Sequence, residues 1–182
     1  MSFGLNLKRS IHEIYSEIEK ARKADILIFA AANNDGGHAR RAYPGNHGDG
    51  VFCIHSATGE GNKASYNPTP VPSADNFSFV GDCISSCWPS LTESNMRKFM
   101  SGTSFATPVA VAVAAFMIGY VRKNRPRYVE WCIRPQTFSG MKKLFRMMTE
   151  PRDSYDWVNL LGHFNTHKES KIIQDIEDAL NI

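Results

Sequence analysis

Gly102-Thr103-Ser104-Phe105-Ala106-Thr107-Pro108 introduces an Ala/Val-rich run that continues to Tyr120. Proline in the first turn of a helix costs little, because the N–H it lacks would have no helical acceptor there. From Phe105 to Val121 the chain carries no charged residue, and a helix apolar on all sides is a core helix. The stretch is marginal in length for a bilayer and has polar flanks, so a buried helix is expected rather than a membrane span. Arg122-Lys123-Asn124-Arg125-Pro126 stops it. These residues place a serine at the head of a helix through the middle of the molecule.

Upstream, Asp25-Ile26-Leu27-Ile28-Phe29-Ala30-Ala31-Ala32 is a short, continuously apolar segment. It follows a helix over about Ser10 to Lys23, opened by the capping box Ser10-Ile11-His12-Glu13 and carrying Ile11, Ile14, Tyr15 and Ile18 at helical spacing. A helix followed by an uninterrupted apolar strand is half of an α/β unit, the strand lying in a parallel sheet covered on both faces. Val51-Phe52-Cys53-Ile54 and Phe77-Ser78-Phe79-Val80 supply two further short strands. Asn33-Asn34-Asp35-Gly36-Gly37 and Gly59-Glu60-Gly61-Asn62 are turns, and three prolines between Asn67 and Ser73 exclude helix interior and central strand. Beyond Tyr120 the pattern is helical, with Met141, Leu144, Phe145 and Met148, and again Ile172, Ile173, Ile176 and Leu180, on single faces.

Composition narrows the function classes. The 182 residues are 42% apolar and 21% charged, with a formal charge of +3 from scattered basic residues. That balance gives no support to nucleic-acid or membrane binding. Four cysteines without a Cys-x-x-Cys pair are expected to be thiols, and they supply neither a disulfide framework nor a zinc site. The N-terminus does not have the form of a signal peptide. Both features point to an intracellular, cytoplasmic protein.

Gly102-Thr103-Ser104-Phe105-Ala106-Thr107-Pro108 resembles the nucleophile motif of subtilisin-like proteases, Gly-Thr-Ser-x-Ala-Ser/Thr-Pro, at every fixed position. The layout suits the chemistry. A serine at a helix N-terminus sets its own N–H and the positive helix end beside a developing oxyanion. Gly102 would let substrate backbone approach, and the small Ala106 would permit tight packing beneath the site. Ala30-Ala31-Ala32-Asn33-Asn34 is similar to the family's Ala-Ala-Ala-Gly-Asn segment, whose asparagine donates to the oxyanion; that role falls to Asn34, 70 residues before Ser104. Asn33 stands where the family has a glycine lining the specificity pocket. Met1-Ser2-Phe3-Gly4 resembles the family's substrate-pairing Met-Ser-Leu-Gly strand.

The resemblance covers about Met1 to Tyr120. It implies an α/β, subtilisin-like three-layer sandwich around a parallel sheet, incomplete because its first strands are absent, plus a helical C-terminal extension. The expected division is 1–124 for the C-terminal portion of a peptidase domain and 125–182 for the extension. The implied activity is serine endopeptidase chemistry on a peptide or protein, with Ser104 as nucleophile and Asn34 as oxyanion donor. Ser2, Phe3, Gly4, Ala32, Asn33, Gly102 and Thr103 would line the substrate cleft. No cofactor is required, and no acidic cluster offers a calcium site.

A triad also needs a base and an orienting carboxylate. The family's Asp-Ser/Thr-Gly and His-Gly-Thr patterns do not occur here; His47-Gly48-Asp49 comes nearest but follows Asn34. His12, His38, His55, His163 and His167 have no supporting motif. The chain alone is therefore expected to be inactive, as a fragment of a protease or as a non-catalytic relative that binds a peptide or partner. An unrelated α/β hydrolase would want Gly-x-Ser-x-Gly, and Ala106 replaces the final glycine. Nothing in the sequence fixes an oligomeric state.

Overall fold

The computed structural model describes residues 12–89, 97–124 and 129–181. Ser10 and Ile11 of the expected capping box, and the cleft residues Ser2, Phe3 and Gly4, lie outside them.

Helix α1 (His12–Lys23) ends where Asp25 takes φ 54°. It packs Ile14 and Ile18 against Ala30, Tyr43 and Val51. Three strands follow in parallel, β1 (Ile28–Ala31), β2 (Val51–Ala57) and β3 (Phe77–Val80). Every residue of β2 is buried, as a parallel strand covered on both faces requires. Strands β4 (Ile84–Cys87) and β5 (Arg97–Met100) then form an antiparallel hairpin that leads into helix α2 (Thr103–Asn124). This hairpin is mostly exposed and has no apolar alternation, so sequence patterning does not reveal it.

The sequence reading anticipates α2 as buried all round. Instead one stripe is buried, formed by Ala106, Ala110, Val113, Ala114, Met117 and Val121. Ala112 and Ala115 face outward, and Phe116 is 45% exposed. The sheet buries that side of α2, and on the outer side Phe164 from the tail meets Phe116 edge-on, with ring centroids 5.3 Å apart. Pro108 lies in the second turn rather than the first, so α2 lacks the bond that residue 108 would donate to the carbonyl four residues before it.

The tail is more than helical. After α3 (Val129–Ile133), a 3₁₀ turn (Arg134–Gln136) and α4 (Phe138–Met147) come two strands, β6 (Thr149–Arg152) and β7 (Tyr155–Val158). Asp153 and Ser154, at φ 51° and 69°, make the two-residue turn between them. That geometry matches the right-handed twist of a hairpin without the usual Asn-Gly or Asp-Gly signature. Strand β7 pairs parallel with β3, completing a five-stranded sheet in the order β1-β2-β3-β7-β6. Helices α5 (Leu160–Thr166) and α6 (Glu169–Leu180) close the chain.

Three layers result. Helix α1 covers one face of the sheet, α2 and α4 cover the other, and α6 packs its apolar face on α4 behind them. At the centre of that second face Phe145 of α4 meets Phe52, Phe77 and Phe79 edge-on, with centroids 5.2–5.5 Å apart. Residues on both sides of the expected boundary at 124/125 belong to this one core.

Candidate active site

Beyond the C-terminal end of β1, Ala32 is fully buried and fixed by two backbone bonds, its N–H to Ile54 O and its carbonyl from Ala42 N–H. Asn33 then adopts φ 145°, a region L side chains rarely enter. The conformation explains why a glycine suits this position. Two local bonds hold the asparagine there: its Oδ1 accepts from Asn34 N–H at 2.6 Å, and its Nδ2 donates to Arg40 O at 3.1 Å.

The chain thereby delivers Asn34 to the head of α2. Asn34 Oδ1 accepts from Thr103 N–H at 2.8 Å and from the Thr103 hydroxyl at 3.1 Å. A backbone N–H can only donate, so the oxygen of the carboxamide faces Thr103. The Nδ2 group is left to donate elsewhere, on an exposed residue beside the helix terminus.

Gly102 is the residue that opens α2, its carbonyl accepting from both Phe105 N–H and Ala106 N–H. Ser104 therefore lies in the first helical turn and is not the capping residue. Its N–H is one of those that a helix leaves without an intrahelical acceptor, and the first turn contains no acidic residue to oppose the positive helix end. Ser104 is exposed, whereas Gly102 and Thr103 are buried. A Cβ on Gly102 would lie in van der Waals contact with Asn34, 3.4 Å from its Nδ2.

Beneath the site, the C-terminal end of β3 abuts the head of α2. A Cβ on Gly81 would come within 2.7 Å of Ala106 Cβ and of Ser56 Oγ, and 2.8 Å of Ala106 N. Gly81 O accepts from Gly102 N–H and from the Tyr66 hydroxyl, which also shares a 2.8 Å bond with Ser56 Oγ. Sequence reasoning gave Gly81, Ser56 and Tyr66 no part in the site. A glycine closing a strand looks like an ordinary turn until the helix is seen packed on it.

The described histidines with resolved contacts are engaged with other groups. His47 Nε2 lies 3.2 Å from Glu19, and His167 Nδ1 lies 2.9 Å from the His163 carbonyl. His55 is fully buried, its Nδ1–H donating to Phe77 O. Burial first, then the nearby charge of Arg41, pull its pKa down to about 3 and keep the ring neutral. The Cys53 thiol is also buried, which raises its pKa to about 11 and leaves it inert as a nucleophile. Among the described residues no group of three His, Cys, Asp or Glu side chains is placed to hold a metal.

The structure thus brings Ala32, Asn33 and Asn34 together with Gly102, Thr103 and Ser104. A constellation with one oriented amide donor and a serine in the first turn of a helix is suited to stabilising negative charge on a carbonyl oxygen under attack.

The model of the subtilase family matches residues 1–144. A subtilisin-like protease, het-Q2, of Podospora anserina is 31% identical over 108 residues, covering 56% of this chain and 28% of the relative. A subtilisin-like protease of Coccidioides posadasii (strain C735) is 34% identical over 133 residues, covering 71% and 30%. The chain therefore spans less than a third of the length of these curated relatives. Among solved structures, the prenylagaramide maturation protease PagA superposes with a TM-score of 0.68 at 18% identity, over 98% of this chain and 59% of its own. A mutant of the protease domain of PatA gives 0.69 at 19% identity, over 91% and 57%. At such identity these two likenesses speak for the fold.

Proposed function

The chain belongs to the subtilase family, and from that premise we propose that it carries the nucleophile half of a serine endopeptidase centre. Ser104 Oγ attacks the carbonyl carbon of a scissile peptide bond, and its proton passes to a base. The carbonyl oxygen becomes an oxyanion, met by Asn34 Nδ2 and by the Ser104 N–H. Collapse of the tetrahedral intermediate expels the amine and leaves an acyl ester on Ser104, which water then hydrolyses. The observation that carries this reading is the pair of hydrogen bonds from Thr103 to Asn34 Oδ1, which fixes the carboxamide and leaves its Nδ2 to donate beside the head of α2.

The base and its orienting carboxylate have no motif within these 182 residues. We assign them to polypeptide supplied from outside this sequence, so that the chain alone does not hydrolyse peptides. The exposed outer face of α2 supports this, since a complete sandwich would cover it. Sequencing the transcript 5′ of Met1 and expressing the whole reading frame tests the assignment. The full product should hydrolyse peptides and react with a fluorophosphonate probe, Ser104→Ala should do neither, and residues 1–182 alone should be silent. If no upstream frame encodes the missing aspartate and histidine, a peptide- or partner-binding role replaces the enzymatic one.

A further inference from the structure

At the opposite end of the strands from Ser104 lies a cavity of about 170 Å³ between the starts of β2 and β3 and helix α4. Phe52, Phe77 and Phe138 give it an apolar floor, and Arg41, Lys142 and Arg146 give it three cations. All three cations converge on Asp75. Lys142 Nζ and Arg146 Nε pair with its carboxylate at 2.8 and 2.6 Å, while Arg41 Nη2 donates to its backbone carbonyl at 3.0 Å.

Arg41 has no carboxylate partner among the described residues. Its Nη2 is held by the Asp75 carbonyl and by Asn76 Oδ1, both neutral, and its Nε is buried and unpaired. Among the described residues, Nη1 makes no hydrogen bond. Lys142 keeps two further N–H groups after its bond to Asp75. The Asp75 carboxylate is only 16% exposed and already shared between two cations. Burial alone would raise its pKa, but Lys142 and Arg146 outweigh that and hold it below the ordinary carboxylate range. Donors in the cavity thus outnumber acceptors, and even counting Asp49 on the rim the charge is unbalanced by one positive unit.

The surrounding loop is firmly built. Asn76 binds Val71 in both directions, donates its side-chain amide to Ala74 O, and donates its backbone N–H to Asp156 Oδ2. A half-buried guanidinium without a counter-ion is costly, and a fixed array of N–H donors around it selects a ligand that only accepts.

We propose that this cavity binds a phosphate group, held by Arg41 Nη1 and Lys142 Nζ, with the three phenylalanines beneath it. A tetrahedral oxyanion offers several acceptor oxygens to the unpaired donors and neutralises the excess charge. The site is separate from Ser104 and does not depend on the proteolytic reading.

Thermal melting and calorimetry of the full chain test it, with inorganic phosphate and phenyl phosphate as probes and sodium chloride at matched ionic strength as control. Phosphate should raise the melting temperature where chloride does not. Arg41→Gln and Lys142→Gln should each weaken binding at least tenfold, while Lys63→Gln, on a remote loop, should not. Should Arg41→Gln fail to fold, Lys142→Gln decides alone, since that side chain ends at the surface. Phenyl phosphate binding at least tenfold tighter than inorganic phosphate assigns the site to an organic phosphomonoester, and equal affinity assigns it to the free ion. No stabilisation by either probe beyond chloride, or binding unchanged in both variants, overturns the proposal.

Discussion

Asn34 and Asn33 are neighbours with opposite parts: Asn34 is the proposed oxyanion donor, and Asn33 holds a strained backbone beside it. Asn34→Ala in the catalytically complete protein is expected to lower kcat by about 10²–10³ with little change in KM, the size known for one such donor in this family. Asn34→Asp is the sharper variant. It keeps an acceptor for both Thr103 bonds but substitutes an anion for the donor, so the fold should persist while turnover falls at least as far; steady-state kinetics beside a melting curve separates the two effects. At Asn33 the comparison is one of magnitudes. A side chain at φ 145° costs on the order of 1–3 kcal/mol, and its two partly exposed bonds each return about 1 kcal/mol. Asn33→Gly exchanges that strain for those bonds and should match the natural chain to within about 1 kcal/mol, whereas Asn33→Ala keeps the strain, loses the bonds and should be about 1–2 kcal/mol less stable in urea titration. The glycine variant also widens the pocket entrance, which would show as altered preference for the residue preceding the cleaved bond.

Between elements, the decisive contact is that of β3 with the head of α2. Gly81→Ala puts a methyl against Ala106 backbone nitrogen, which cannot swing aside, and overpacking of this kind costs about 1–3 kcal/mol. Chemical denaturation should register that loss, and a fluorophosphonate probe should label the complete variant more slowly. His55 couples β2 to β3 and sets a pH dependence. Its folded pKa of about 3 lies below the unfolded value near 6.5, so as pH falls the unfolded chain binds a proton first. Stability should decline by up to about 1.4 kcal/mol per pH unit from pH 6.5 towards 3. His55→Phe should flatten that slope between pH 6 and 4 in denaturant midpoints. Such relations show what a sequence discloses. The strands β1 to β3 and helix α2 were legible because apolar runs and one fixed motif survive in any single chain. Strand β7 was hidden because its turn at Asp153-Ser154 uses left-handed residues other than glycine, so no turn signal marks it off from the helical patterns on either side. Gly81 was hidden because its reason lies in Ala106, 25 positions away.

For the molecule as a whole, the tail is structural. Phe145→Ala should cost about 3–5 kcal/mol, as for other buried aromatics, and removing residues 149–182 takes away β7 and the buried face of α6 (Ile172, Ile176 and Leu180). The shortened chain should lose cooperative unfolding by circular dichroism, where a detachable appendage would leave it intact. The sheet's two margins also differ in kind. Strand β6 runs antiparallel, carries Pro151 without an N–H, and is flanked by the Glu150–Arg152 ion pair. Among the described residues β1, at the other margin, has a paired neighbour on one side only. Further backbone can add at β1 but finds a poor template at β6. Two copies meeting edge to edge would have to join β1 to β1, leaving a blunted margin at each outer end. Were copies to pair in that way, the blunted margins would halt growth at two, a brake against running on into a fibril.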